Sequence, residues 1–225
     1  MRESTRPMPA LRLGTVLIQQ RGVTANQLAT ALAAQPRTGL RLGDQLIQMG
    51  FTSREQLLRA LAAQSNVKYL TTIDPALART APGRLSADEV RALGVVPFRE
   101  DDGKLLVACS APLRHSALDA LTILIDRVIE PYLVADDDFE RLRAAYIESA
   151  GASIETTTVR DIPDGASRVA KAAAGAREVS IKEAQIESFT WVRIAADGRI
   201  STLLVPPSSP QLQEHDAWLA ATTRH

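Results

Sequence analysis

Arg12–Gln35 reads RLGTVLIQQRGVTANQLATALAAQ, and Arg41–Gln64 reads RLGDQLIQMGFTSREQLLRALAAQ. Laid side by side without a gap, 13 of the 24 positions are identical, which marks a duplication. Five residues, Pro36–Leu40, separate the copies. Two copies are too few for a solenoid, which needs about three or more units to bury its core. They suit a pseudo-twofold arrangement instead, and a ligand that is itself symmetric.

Each block reads as a short helix, a glycine turn and a longer helix. Leu28 and Leu32, like Leu57 and Leu61, fall one turn apart, the spacing of one helix face. Thr24-Ala-Asn-Gln27 and Thr52-Ser-Arg-Glu55 fit the capping box, in which a hydroxyl accepts from a backbone N–H one turn on and the Gln or Glu reaches back. Gly22 and Gly50 suit the ends of the preceding helices. Gly22 sits one position later in its block than Gly50 does, so a local distortion is expected in the first block.

The expected architecture is α+β. A lead-in over 1–10 precedes a helical tandem-repeat subdomain over 11–66, built as four helices. A small β-β-α-β-α subdomain follows over 67–148. Its expected elements are a helix capped at Ser86–Glu89, strands at Val95–Arg99 and Lys104–Cys109 around an Asp101-Asp102-Gly103 turn, a helix over Ser116–Ile125, a strand over Val128–Val134 and a helix over Asp136–Ile147. Residues 149–178 read as a linker or weak helix. Residues 179–225 read as a C-terminal extension with a β-hairpin around Asp197-Gly198 and a terminal helix over Pro210–Ala221.

Composition narrows the function. Lys+Arg and Asp+Glu balance at 26 each, so there is no basic footprint for DNA, RNA or an anionic membrane. A small anionic ligand held by two or three arginines remains compatible. No apolar run approaches about 18 residues, so no membrane insertion is expected. The single cysteine, Cys109, excludes a disulfide framework and a cysteine cluster and fits a cytoplasmic location. Cys109 and His115 are spaced like a nucleophile and a base, but a cysteine ending a buried strand reads as packing. His215 and His225 lack the spacing of metal ligands. Asp136-Asp-Asp138 reads as a charge run favoured at a helix start. No catalytic residue, metal or cofactor is expected, and the chain is not expected to be an enzyme.

The two RLG…Q blocks, with Val95-Val-Pro-Phe98, the run LLVACSAPL at Leu105–Leu113, Ala117-Leu-Asp-Ala-Leu121 and Val128–Val134, resemble the MshEN domain over about 11–148. That domain stands at the N-terminus of type II secretion and type IV pilus assembly ATPases and binds cyclic di-GMP. The resemblance implies that Arg12 and Arg41 contact the two halves of the ligand. It implies that Leu13, Leu42, Leu28, Leu57, Leu32 and Leu61 form an apolar cradle. Gln35 and Gln64 then close the site by hydrogen bonds, and Asp44 adds an acidic contact. Gly14 and Gly43 would let backbone approach the ligand. Such a set suits the dinucleotide: arginine forks onto guanine or phosphate, and glutamine both donates and accepts. Ala111 stands where the family commonly has an aspartate before proline, which removes one polar partner.

No G-x-x-x-x-G-K-[ST] occurs in the sequence. The expectation is therefore a stand-alone cyclic di-GMP receptor acting through a protein partner of a pilus, secretion or signalling system. The alternative is a degenerate module that no longer binds nucleotide.

Overall fold

The computed structural model describes residues 12–82, 85–149, 154–186 and 189–205. The expected lead-in and the expected helix over Pro210–Ala221 lie outside them. The chain divides into two compact units. Among the described residues, the first holds the chain through Ile73 with Ala108–Pro112 and Pro131–Phe139; the second holds Asp74–Val107, Leu113–Glu130 and the chain from Glu140 onward.

The first unit carries four helices from the repeats: α1 (Leu13–Gln19), α2 (Ala25–Thr38), α3 (Leu42–Gln48) and α4 (Arg54–Ser65). Equivalent positions of the two blocks build the core. Leu17 and Leu46 are fully buried, as are Ala31 and Ala60, and Val16 and Val23 join them. Gly14 and Gly43 are buried too. A Cβ on Gly14 would lie 2.8 Å from Leu28 Cδ2, and one on Gly43 2.7 Å from Leu57 Cδ2. The glycines thus let the short helix of each block close onto a leucine of its long helix. Gln45 stands where the first block has Val16. It is 2% exposed, and its Oε1 accepts from the Thr38 hydroxyl at 2.6 Å, as a buried amide must find a partner.

Two local readings need correction. The capping box of α4 is formed by Ser53 and Gln56, not by Thr52 and Glu55: Gln56 N donates to Ser53 Oγ and Ser53 N to Gln56 Oε1, both at 3.1 Å. These positions match Thr24 and Gln27 of the first block, whose box is also closed. The expected distortion at Gly22 is absent. Arg21, aligned with Gly50, takes the same left-handed conformation (φ 56° against 70°). The turn hydrogen bonds correspond as well: Gly22 N donates to Leu17 O at 2.8 Å and Phe51 N to Leu46 O at 2.9 Å. Backbone geometry is shared, and only the residue type has slipped. A side chain in the left-handed region costs about 1–2 kcal/mol, while glycine there costs little. Arg21→Gly should therefore stabilise the first unit by up to about 1 kcal/mol, measured by urea unfolding.

The first sheet has the order β1-β4-β3-β2, with β1 (Lys68–Tyr69), β2 (Val96–Asp101), β3 (Lys104–Cys109) and β4 (Val128–Leu133). In the first unit, β1 runs parallel to the end of β4, with Lys68 opposite Tyr132 and Tyr69 opposite Leu133. Val134 N donates to Cys109 O at 3.0 Å. The chain is thereby held so that Ser110 and the start of α8 (Asp136–Ser149) belong to the helical unit.

The second unit contains α5 (Ala76–Arg79), α6 (Ala87–Leu93), α7 (His115–Ile125) and α9 (Ile162–Ala173). Its second sheet has the order β5-β8-β7-β6, from β5 (Glu155–Thr158), β6 (Val179–Ile186), β7 (Phe189–Ala196) and β8 (Arg199–Val205). β5 lies parallel to β8, and the other pairs are antiparallel. Asp197 and Gly198 both have positive φ, the requirement of a two-residue type I′ hairpin, so the hairpin expected in the tail is present. Strands β5 and β6 were not read from sequence. α7 packs on β6, and Val169 of α9 packs on Val192, Ile194, Leu203 and Val205.

Beneath this sheet lies a buried charged pair. Glu89 of α6 is fully buried and Arg193 of β7 is 5% exposed. Arg193 Nη2 donates to Glu89 Oε2 at 2.9 Å, and the Thr202 hydroxyl donates to Glu89 Oε1 at 3.2 Å. Glu89 is also the closing residue of the α6 capping box, accepting from Ser86 N at 2.7 Å. Ser86 Oγ in turn accepts from the Thr156 hydroxyl of β5 at 2.8 Å. One helix cap thus ties together α6, β5, β7 and β8.

Candidate functional site

A cleft of about 360 Å³ opens on the first unit, within the range of small-ligand sites. The second repeat block supplies its apolar floor with Ile47 of α3 and Leu57, Leu58 and Leu61 of α4. Asp44, in the first turn of α3, and Gln48 give it polar groups, and the linker residue Leu40 closes one side. Ser110, Val134, Ala135 and Asp136 complete the wall. Arg54, at the first position of α4, also lines the cleft, and its Nη1 donates to Asp137 Oδ2 at 2.6 Å. Both groups of that pair are largely exposed, so its contribution to stability is small. Its effect is positional, bringing the starts of α4 and α8 together.

The cleft therefore collects Asp44, Leu57 and Leu61 from the expected set. Arg12 and Arg41 occupy equivalent places. Each is the N-cap of its short helix, with extended backbone (φ −64°, ψ 140° and φ −65°, ψ 153°) and no side-chain cap bond. Both side chains are exposed. Leu13, Leu42 and Leu28 are half-buried and pack on the core of the helical unit, while Leu32 is 47% exposed. Gln35 Nε2 donates to Leu40 O at 2.9 Å, which fixes the linker carrying Leu40. Gln64 is half-buried and has its own partner within the protein. Gly14 and Gly43 face Leu28 and Leu57.

The two blocks are unequal. At the seventh and twenty-first positions of the blocks, Ile47 and Leu61 line the cleft, whereas their counterparts Ile18 and Leu32 are 38% and 47% exposed. The polar wall was not foreseen. Ser110 and Asp136 are remote in sequence from the repeat, and the helix dipole alone is reason enough for an aspartate at 136. Arg54 aligns with Ala25, so the duplication gives no sign of it. Ala111 is exposed and does not line the cleft.

Other features offer less chemistry. Cys109 is buried, and burial pushes its thiol up to about 12, so it is protonated near neutrality and no nucleophile. Among the described residues no group of three or more His, Cys, Asp or Glu could hold a metal, and no helix is long and apolar enough to cross a membrane. A larger open cavity of about 1030 Å³ lies in the second unit between the end of α9 and the β7–β8 turn. Its Asp197 carboxylate is already committed, accepting from the backbone N–H of Arg177 and Glu178. It gathers none of the duplicated residues.

The MshEN domain matches residues 70–153. A solved structure of MshE with cdg is similar to the chain at 32% identity, with a TM-score of 0.51, covering 60% of this chain and 99% of that one. Two crystal forms of the N-terminal domain of XpsE are similar at 16% and 18% identity, with TM-scores of 0.42 and 0.35. They cover 60% and 63% of this chain, and 93% and 98% of theirs. No curated protein matches. With nearly the whole of the MshE structure matched at that identity, the chain belongs to the MshEN domain family.

Proposed function

We propose that the helical unit binds cyclic di-GMP, with the cleft of the second block as its principal half-site, and that the protein is a non-enzymatic receptor. The observation that carries this is the duplicated RLG…Q block in a chain similar to MshE with cdg over 99% of that chain. The chemistry of the cleft supports it. Leu57 and Leu61 offer a flat apolar floor for a purine. A fully buried leucine contributes about 1.5–3 kcal/mol, and these two, half-exposed at rest, can still gain part of that. Arg12 and Arg41 supply cations from equivalent backbone positions, matching the twofold repeat of the phosphates. The output is a ligand-dependent interaction with a protein of a pilus, secretion or signalling system in the cytoplasm.

The test is a thermal unfolding series of the full chain. A ligand that binds only the folded state at 100 times its Kd stabilises it by about 2.7 kcal/mol. The midpoint should rise with cyclic di-GMP and stay fixed with GMP at equal phosphate. A midpoint unmoved by millimolar cyclic di-GMP would favour the second reading, a module that has lost the ligand. The exposed Ala111 and the open Ile18–Leu32 half are the observations on its side.

A further inference from the structure

The three aspartates that open α8 differ in their surroundings. Asp137 pairs with Arg54 at 2.6 Å. Asp138 is 8% exposed and engaged within the protein. Asp136 is exposed and lines the cleft together with Leu57, Leu58 and Leu61 of α4. An ionised carboxylate only accepts hydrogen bonds, so it cannot serve the phosphates of a cyclic dinucleotide. It would repel them. The ligand surface that suits it is one carrying two adjacent donors, and on guanine that is the N1–H and N2–H₂ edge. Adenine presents a bare acceptor at N1 and has no amino group at C2. The Arg54–Asp137 pair fixes the turn of α8 that carries Asp136 beside the floor on which a base would lie.

We infer that Asp136 is the specificity-determining residue of the cleft: its carboxylate accepts from guanine N1–H and N2–H₂ and so selects a guanine-containing cyclic dinucleotide over an adenine-containing one. The inference rests on the cleft being the cyclic di-GMP site proposed above. It also gives a chain with alanine at 111 an acidic contact from the start of α8.

The experiment is equilibrium dialysis of the full chain with labelled cyclic di-GMP, with unlabelled cyclic di-AMP as competitor. It compares the wild type, Asp136→Asn and the control Glu140→Gln on the same helix. Loss of a charge-assisted acceptor should weaken cyclic di-GMP roughly tenfold or more. The preference over cyclic di-AMP should narrow by a similar factor, with the unfolding midpoint and the control unchanged. Wild-type binding that Asp136→Asn leaves intact would overturn the role of Asp136 and spare the functional reading. Equal weakening of both nucleotides would also overturn it, because that marks a wall residue and not a base reader. Absence of wild-type binding would overturn the functional reading and this inference together.

Discussion

Replacing Glu89 with alanine should destabilise the second unit by about 3–5 kcal/mol, the cost of leaving one member of a buried ion pair without the other. The number is large because the guanidinium of Arg193 stays behind, 5% exposed, having lost the carboxylate 2.9 Å away. The Thr202 hydroxyl and Ser86 N–H lose an acceptor at the same time. Truncating the chain after residue 149 should do similar harm from the other side, since it removes Arg193 and Thr202 and strands the carboxylate of Glu89. Replacing both partners, Glu89→Met with Arg193→Met, should recover the share due to the stranded guanidinium, because an apolar pair of similar volume carries no desolvation cost, while the Thr202 hydroxyl and Ser86 N–H still lack their acceptor. Urea unfolding of the three variants measures this. A Glu89→Ala variant within 1 kcal/mol of wild type would mean that water reaches the pair. β5, β7 and β8 are held to α6 around a buried capping residue, so a fragment cut to the MshEN match at 70–153 would leave Glu89 without Arg193 and Thr202.

Arg12→Ala and Arg41→Ala should each weaken cyclic di-GMP about 10- to 100-fold, with stability nearly unchanged. A hydrogen bond to a charged group contributes about 1.5–3 kcal/mol, and two such bonds from one guanidinium fork can act on a single phosphate or guanine. The stability half of the prediction follows from structure. Both side chains are exposed and neither closes a cap bond, while their backbone carbonyls, which accept from Thr15 N and Gln45 N, survive the substitution. Arg41→Ala should be the more damaging, because Arg41 lies one turn before Asp44, which lines the cleft. Equal effects would mean that the exposed Ile18–Leu32 half contributes as much as the cleft. Intact affinity in both would show that neither arginine meets the ligand.

Much of the helical unit was legible because its information is local. Helical spacing and caps mark two helices in each block, and duplication identifies which positions are equivalent. The cap of α4 was misplaced by one residue because Thr52 and Glu55 satisfy the motif as well as Ser53 and Gln56 do. Register with the first block was the deciding signal. Arg21 misled for a related reason. The turn requires a left-handed residue at a fixed position, and the eye follows the glycine when the backbone follows the position. Strands β5 and β6 were illegible because their pairing is the evidence for them. ETTT at Glu155–Thr158 carries β-branched residues but no alternation, and it is a strand because Glu155–Thr158 run beside Ser201–Leu204. The Glu89–Arg193 pair spans 104 residues, and nothing near Glu89 distinguishes a capping glutamate from a buried anion.

The site was half legible for the same reason. Residues from the repeat, Asp44, Leu57 and Leu61, came from alignment of the blocks. The wall made by Ser110, Val134 and Asp136 came from two segments that only the fold brings to the helical unit.

Whether the duplicated blocks form one receptor site for a cyclic dinucleotide is tested most directly by calorimetric titration of the full chain with cyclic di-GMP. Saturable heat with one dinucleotide per chain is expected, diminished in Arg41→Ala. No heat at high micromolar ligand would contradict it.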